Sequence, residues 1–202
     1  FSQKSPLSSS SLHFGKDHFV FQVSLPEEGK AKEKVPGDPR ERPTTTSYSY
    51  PFYFESPSSA TKIYPDQELP SKSNYFIGDD PALWRTDVPN YASLRYEGIW
   101  DRIDAIFYTK EGNPAFDFLL HPGADPRSLA LRPEGLGDAE IQKDGSLLAK
   151  TPWGTVSISA PKSFYEDTGD PISSRWEIEA GILHIAVGPY DRSRTIRVDP
   201  SL

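Results

Sequence analysis

Between Asn74 and Pro126 the chain never runs far without a turn signal, and this bars long helices. Turn chemistry recurs at Gly78-Asp79-Asp80-Pro81, Glu111-Gly112-Asn113-Pro114 and His121-Pro122-Gly123. Proline removes a backbone donor and fixes φ, and glycine weakens a helix interior. With 20 prolines and 14 glycines in 202 residues, the elements must be short. The stretches between turns alternate apolar and polar residues, the period of a half-buried strand. The fold expected is all-β: a β-sandwich or layered antiparallel β domain with an extended N-terminal segment.

The composition shifts near residue 73. Residues 1–73 hold nine prolines and fourteen serines, with nine basic and nine acidic residues. Residues 74–202 hold 13 basic and 20 acidic residues, so the whole net charge of −7 sits there. The reading is a Pro/Ser-rich extension over 1–73 and a β-rich domain over 74–202. Within the extension, the Ser-rich run to Ser11 reads as extended or flexible. Pro26 to Pro43, charged and Pro-rich, reads as a loop. Two candidate strands interrupt it, at 18–25 and 48–55. Phe19, Phe21, Val23 and Leu25 share one face of the first; Tyr48, Tyr50, Phe52 and Phe54 share one face of the second. Pro51 cannot donate to a ladder, so the second is expected at an edge or a bulge.

In the β-rich part, strands are expected near Ala92–Tyr96, Asp104–Lys110, Ala115–His121, Leu129–Pro133, Ala139–Gln142, Leu147–Thr151, Gly154–Ser159, Lys162–Glu166, Arg175–Glu179, Ile182–Val187 and Thr195–Val198. Lys143-Asp144-Gly145-Ser146, flanked by apolar runs, predicts a hairpin. Asp80 before Pro81 predicts one capped helical turn.

Composition also excludes classes of function. An acidic chain is a poor nucleic-acid partner, because phosphate contacts need a basic surface. With no cysteine there are no disulfides, thiolate zinc sites or cysteine nucleophiles. No apolar run approaches the ~18 residues of a membrane span. A chain that begins Phe1-Ser2-Gln3 and holds no methionine is expected to be a processed product, most simply after removal of a signal peptide, or a fragment. Scarce Asn and Gln, absent Cys and Met, and abundant Pro give a thermophile-like composition.

Several phrases resemble a known family. Asn74-Tyr75-Phe76-Ile77-Gly78, Trp84-Arg85-Thr86-Asp87-Val88-Pro89, Gly123-Ala124-Asp125-Pro126 and Tyr190-Asp191-Arg192-Ser193-Arg194 occur in that order. They are similar to an uncharacterised β-rich domain found at the front of secreted bacterial proteins with SBBP (β-propeller) repeats. The resemblance implies a secreted or cell-surface module with no catalytic residue set to carry over. The usual opening of that domain is not recognisable in residues 1–17.

Candidate sites remain open on residues alone. Asp101 with Asp104, or Asp117, could pair as glycosidase carboxylates; salt bridges from Asp104 and Asp117 to Arg95, Arg102 or another base are the simpler expectation. No nucleophile elbow, zinc-binding helix motif or phosphate loop occurs, so no cofactor is expected. The histidines His13, His18, His121 and His184 are scattered. Asp79, Asp80, Asp87 and Asp101 fall near turns, where calcium or simple capping would use them. Tyr190, Asp191, Arg192 and Arg194 form either a binding patch or, preferably, a structural turn in which Asp191 pairs with an arginine. Trp84, Trp100, Trp153 and Trp176 are expected mostly in the core, with a sugar-stacking platform as the other reading.

The leading expectation is a non-enzymatic, secreted structural protein, the subunit of an extracellular filament or surface assembly. Its partners would be copies of itself, with a glycan possible. Phe19, Phe21, Val23 and Leu25 would be the apolar plugs of a donor strand filling a gap in a neighbour's 74–202 sheet. Such a head-to-tail contact propagates a filament. The alternative is a monomeric surface adhesion or carbohydrate-binding module.

Overall fold

A computed structural model describes residues 9–26, 45–137, 139–151 and 154–200. Residues 27–43 of the loop expected over Pro26–Pro43, most of the Ser-rich opening, and Trp153 lie outside these residues. Among the described residues the chain is nearly all β, with two 3₁₀ turns and no α-helix. All strand pairs are antiparallel.

Two large sheets face each other. The first joins β1 (Ser9–Phe14), β2 (His18–Pro26), β3 (Thr45–Phe54), β8 (Ala130–Pro133), β15 (Ile182–Val187) and β14 (Ser174–Glu179), in that order. The second runs β13 (Pro171–Ile172), β12 (Lys162–Tyr165), β16 (Ile196–Asp199), β7 (Asn113–Leu120), β6 (Ile103–Lys110), β5 (Arg85–Trp100) and β4 (Lys62–Tyr75). A small third sheet of β11 (Gly154–Ile158), β10 (Leu147–Thr151) and β9 (Ala139–Ile141) adds Leu147, Ala149 and Ile158 to the core.

The alternation seen in the sequence explains which faces meet. Phe19, Phe52 and Phe54 point inward from the first sheet; Tyr96, Phe107, Phe116 and Phe118 point inward from the second. Phe19 lies at the centre, its ring 5.0 Å from that of Phe52, 4.8 Å from Phe107 and 5.3 Å from Phe116. Stacked and tilted aromatic pairs of this kind add to plain area burial. Three buried aromatics have their polar tips satisfied: Trp100 Nε1 donates to the Glu55 carbonyl at 2.7 Å, Trp176 Nε1 to that of Ser159 at 2.8 Å, and the Tyr96 hydroxyl to that of Gly15 at 2.6 Å. Burial pushes the Tyr96 phenol up to about 12.

The hairpin expected at Lys143–Ser146 joins β9 to β10, with Gly145 in the left-handed region (φ +82°). The capped turn is present as well: Asp80 accepts from the Ala82 amide at 2.9 Å, with Pro81 opening the turn. The structure adds to the sequence reading at three points. The Ser-rich run to Ser11, read as extended or flexible, leads into an extended strand: Ser9–Phe14 pair along their length with β2. β3 is interior, not an edge, although it carries Pro51. The Pro51 carbonyl accepts from Glu134 just past the end of β8, so the missing donor falls where β8 pairing stops. The compositional shift at residue 73 falls within β4, whose ladder with β5 continues across it. Strands from before and after that position share the first sheet.

Candidate functional site

The four residues read as plugs lie on β2. The strand is hydrogen-bonded to β1 on one side and β3 on the other, within its own chain. Phe19 is fully buried, while Phe21, Val23 and Leu25 are half-buried. Phe21 packs against the rim of the core. The slot that β2 fills is thus bounded by β3, with Phe107 and Phe116 of the opposite sheet as its floor.

The turn Tyr190–Arg194 docks onto the loop after β7. The Gly123 amide donates to the Arg192 carbonyl at 2.9 Å, and Arg192 Nη2 donates to the Ala124 carbonyl at 2.5 Å. Gly123 has φ +84°, a backbone conformation that residues with a side chain rarely adopt. Two of the phrases that carry the family resemblance therefore contact each other. Among the described residues, Asp191 forms no ion pair with an arginine. Its Oδ1 accepts from the Ser193 amide at 2.9 Å and hydroxyl at 2.7 Å, an Asx turn. Arg194 instead pairs with Asp167 and lies over the Tyr165 ring, 3.8 Å from its centroid. Tyr190 is half-buried beside Asp125 and Pro126, lining a depression of about 460 Å³.

Sequence reasoning reached only part of the polar outer face of the seven-stranded sheet. The residues alternating with the core aromatics there form two ionic clusters. In the first, Asp104 is 2% exposed and accepts from Arg95 Nη2 at 2.5 Å and the Gly98 amide at 2.7 Å; His121 Nε2 lies 2.8 Å away. Gly98 sits in the left-handed region (φ +64°) at a bulge in β5, which turns its N–H toward Asp104. Burial raises the Asp104 carboxyl, but the bonds from His121, Gly98 and Arg95 outweigh it and hold the group below its ordinary 3.8. In the second cluster, Asp117 accepts from Arg197 Nη1 at 2.7 Å and the Tyr108 hydroxyl at 3.0 Å, while Arg197 also reaches Glu166 at 2.6 Å. Here burial dominates and the Asp117 carboxyl is pushed up, with Asp199 adding to the push. The salt-bridge expectation for Asp104 and Asp117 is met, with Arg95 and Arg197 as the bases. Asp101 lies exposed in the β5–β6 turn.

The linkage at Asp104 has a defined sign. A folded-state pKa below the unfolded value stabilises above about 3.8, and that contribution is lost as pH falls through the folded value. The stability gap between the natural chain and Asp104→Asn should be larger at pH 7 than at pH 3, as read by urea unfolding at both. A gap independent of pH would mean the carboxylate charge is not what matters.

Of the tryptophans, Trp100 and Trp176 are buried and Trp84 is 38% exposed. Among the described residues, no group of three or more His, Cys, Asp or Glu could hold a metal, and no helix is long and apolar enough to cross a membrane.

Comparison with known families returns one model, described as Domain of unknown function (DUF7948), matching residues 2–201. The chain belongs to this family. The match takes in both β1–β3 and the strands after them, so the N-terminal meander is part of the family domain. No curated protein and no solved structure matches the chain.

Proposed function

We propose that this chain is a non-enzymatic, secreted structural protein, the subunit of an extracellular filament or surface assembly joined by exchange of its N-terminal strand. The observation that carries the reading is the seat of Phe19. A fully buried plug at the centre of the core belongs to a strand that reaches the rest of the domain only through residues 27–44. Covalent geometry lets such a stretch span up to about 60 Å. The same β2 can therefore fill its own slot or a neighbour's, with the same contacts in either. The resemblance to the front domain of secreted bacterial proteins with SBBP repeats supports a surface setting. Networked ion pairs on the outer sheet face suit a warm one.

A second reading, a monomeric surface adhesion or carbohydrate-binding module, is favoured by one observation. β2 is already seated in its own sheet, which leaves the exposed aromatics Phe76 and Trp84 as the feature to be recognised.

Electron microscopy and light scattering of the full chain separate the two. Strand exchange predicts fibres that shorten when a peptide spanning His18–Leu25 is added in excess, and that ignore the same peptide with Phe19→Asp. Particles no larger than a dimer, indifferent to the peptide, would remove the first reading and turn attention to glycan binding.

A further inference from the structure

β4 and β5 continue well past the sheet they belong to. β5 pairs with β6 only from Ser93 onward, so its residues 85–92 pair with β4 alone. The result is a two-stranded arm about 25 Å long. Between Gln67 and Tyr91 only Ser73, Val88 and Asn90 are even half-buried. A lone two-stranded ribbon is marginal in water, and this one ends in an ordered apolar tip. Tyr75, Phe76, Ile77, Leu83 and Trp84 are 49%, 61%, 67%, 59% and 38% exposed. Phe76 sits edge-on to Trp84 at 5.2 Å, and Trp84 Nε1 donates to the Gly78 carbonyl at 3.2 Å.

The edges of the arm are guarded while its tip is not. Pro70 on β4 and Pro89 on β5 lack donors, and the ladder shifts register twice along the arm. These are devices that discourage strand addition. Side chains at the tip are therefore the adhesive element. A groove of about 350 Å³ opens at the foot of the same arm, between β1 and the second sheet, lined by Leu12, Phe14, Pro65, Tyr91, Leu94 and Pro114.

We infer that the arm tip docks on a second copy of this chain, in a reciprocal two-fold contact that seats each tip in the groove at the foot of the other arm. Two arms laid antiparallel bring each tip to the other's foot, because groove and arm share a base. The area argues for reciprocity. Five large side chains about half exposed give a tip on the order of 500 Å². Two tips and the mouths of two grooves together bury on the order of 1,200 Å², the lower end of a specific interface, whereas a single tip and groove would be no larger than a crystal contact. The contact uses none of Phe19, Phe21, Val23 or Leu25, so it stands or falls apart from strand exchange.

The chain has no cysteine, which makes a crosslinking test clean. A full-length variant carrying Ile77→Cys and Tyr91→Cys cannot bridge within one arm, because the two positions lie at its opposite ends. After mild oxidation, a denaturing non-reducing gel should show a closed dimer, twice the 22.6 kDa chain. In parallel, Phe76→Asp with Trp84→Asp should weaken dimerisation in sedimentation by on the order of thirtyfold, as loss of a hot spot does. Both positions are exposed, so the variant should keep its far-ultraviolet circular dichroism. A ladder of longer covalent species, no crosslink, or a dimer unaffected by the two aspartates would overturn the inference.

Discussion

Replacing Phe19 by alanine should lower unfolding stability by about 3–5 kcal/mol, the range for a large aromatic removed from a packed core. The ring is fully buried and contacts Phe52, Phe54, Phe107 and Phe116. These neighbours come from both large sheets, so the cavity cannot close by a shift of one sheet alone. Denaturant unfolding should show a lower midpoint with an unchanged slope. Phe21→Ala, at a half-buried position on the same face of β2, should cost much less. If the two substitutions cost the same, β2 is not seated as described. The measurement also bears on exchange between copies. Where β2 is supplied by another chain, the midpoint of the natural protein rises with protein concentration, because folding is then coupled to association.

Replacing Arg197 by methionine should be of similar size, about 3–5 kcal/mol at neutral pH, for a different reason. It strands Asp117, 3% exposed, without its cation. Tyr108 alone then faces the carboxylate. The pH dependence has the opposite sign to that at Asp104. Because burial lifts the folded-state pKa of Asp117 above 3.8, this group's contribution declines as pH rises from there through the folded value. Loss of Arg197 lifts that value further, so the deficit of Arg197→Met should shrink as pH falls and Asp117 takes up a proton. Asp117→Leu combined with Arg197→Met should recover most of the stability, since an apolar pair leaves no buried charge. A double variant as weak as the single one would show that the pair matters through shape and not charge. The Glu166 end of the cluster, more exposed, should contribute little.

What could be read in the sequence follows from where burial is one-sided. Phe19 to Leu25 and Tyr48 to Phe54 alternate because one face of each strand meets the core and the other does not. Their strand character, and that of β6, β10, β14 and β15, was plain for that reason. The β4–β5 arm gives no such signal, because both of its faces are in solvent and nothing selects for alternation. Lys62–Tyr75, with Pro65 and Pro70, therefore passes for a linker. Ser9–Phe14 is concealed by its serines. It is an edge strand whose described side chains are mostly exposed, with Leu12 packing on the core rim. The ionic face was half legible. Asp104 and Asp117 stood at strand positions near basic residues, yet Arg197 lies 80 residues from Asp117 and only sheet order brings them together. The Tyr190–Arg194 turn was recognised, but its partner, the loop at Gly123–Pro126, could be found only from the fold.

The sheet order has a consequence for synthesis. Chains leave the ribosome N-terminus first, and β1, β2 and β3 can pair as a meander as soon as they emerge. The residues that cover their aromatic face, Phe107 and Phe116, and the strand that extends their sheet, β8, are made much later. During that interval the nascent chain carries three of the six strands of the first sheet, with Phe19, Phe52 and Phe54 uncovered. An apolar face and an open strand edge left uncovered in this way are what make partly made β-rich chains prone to associate with one another.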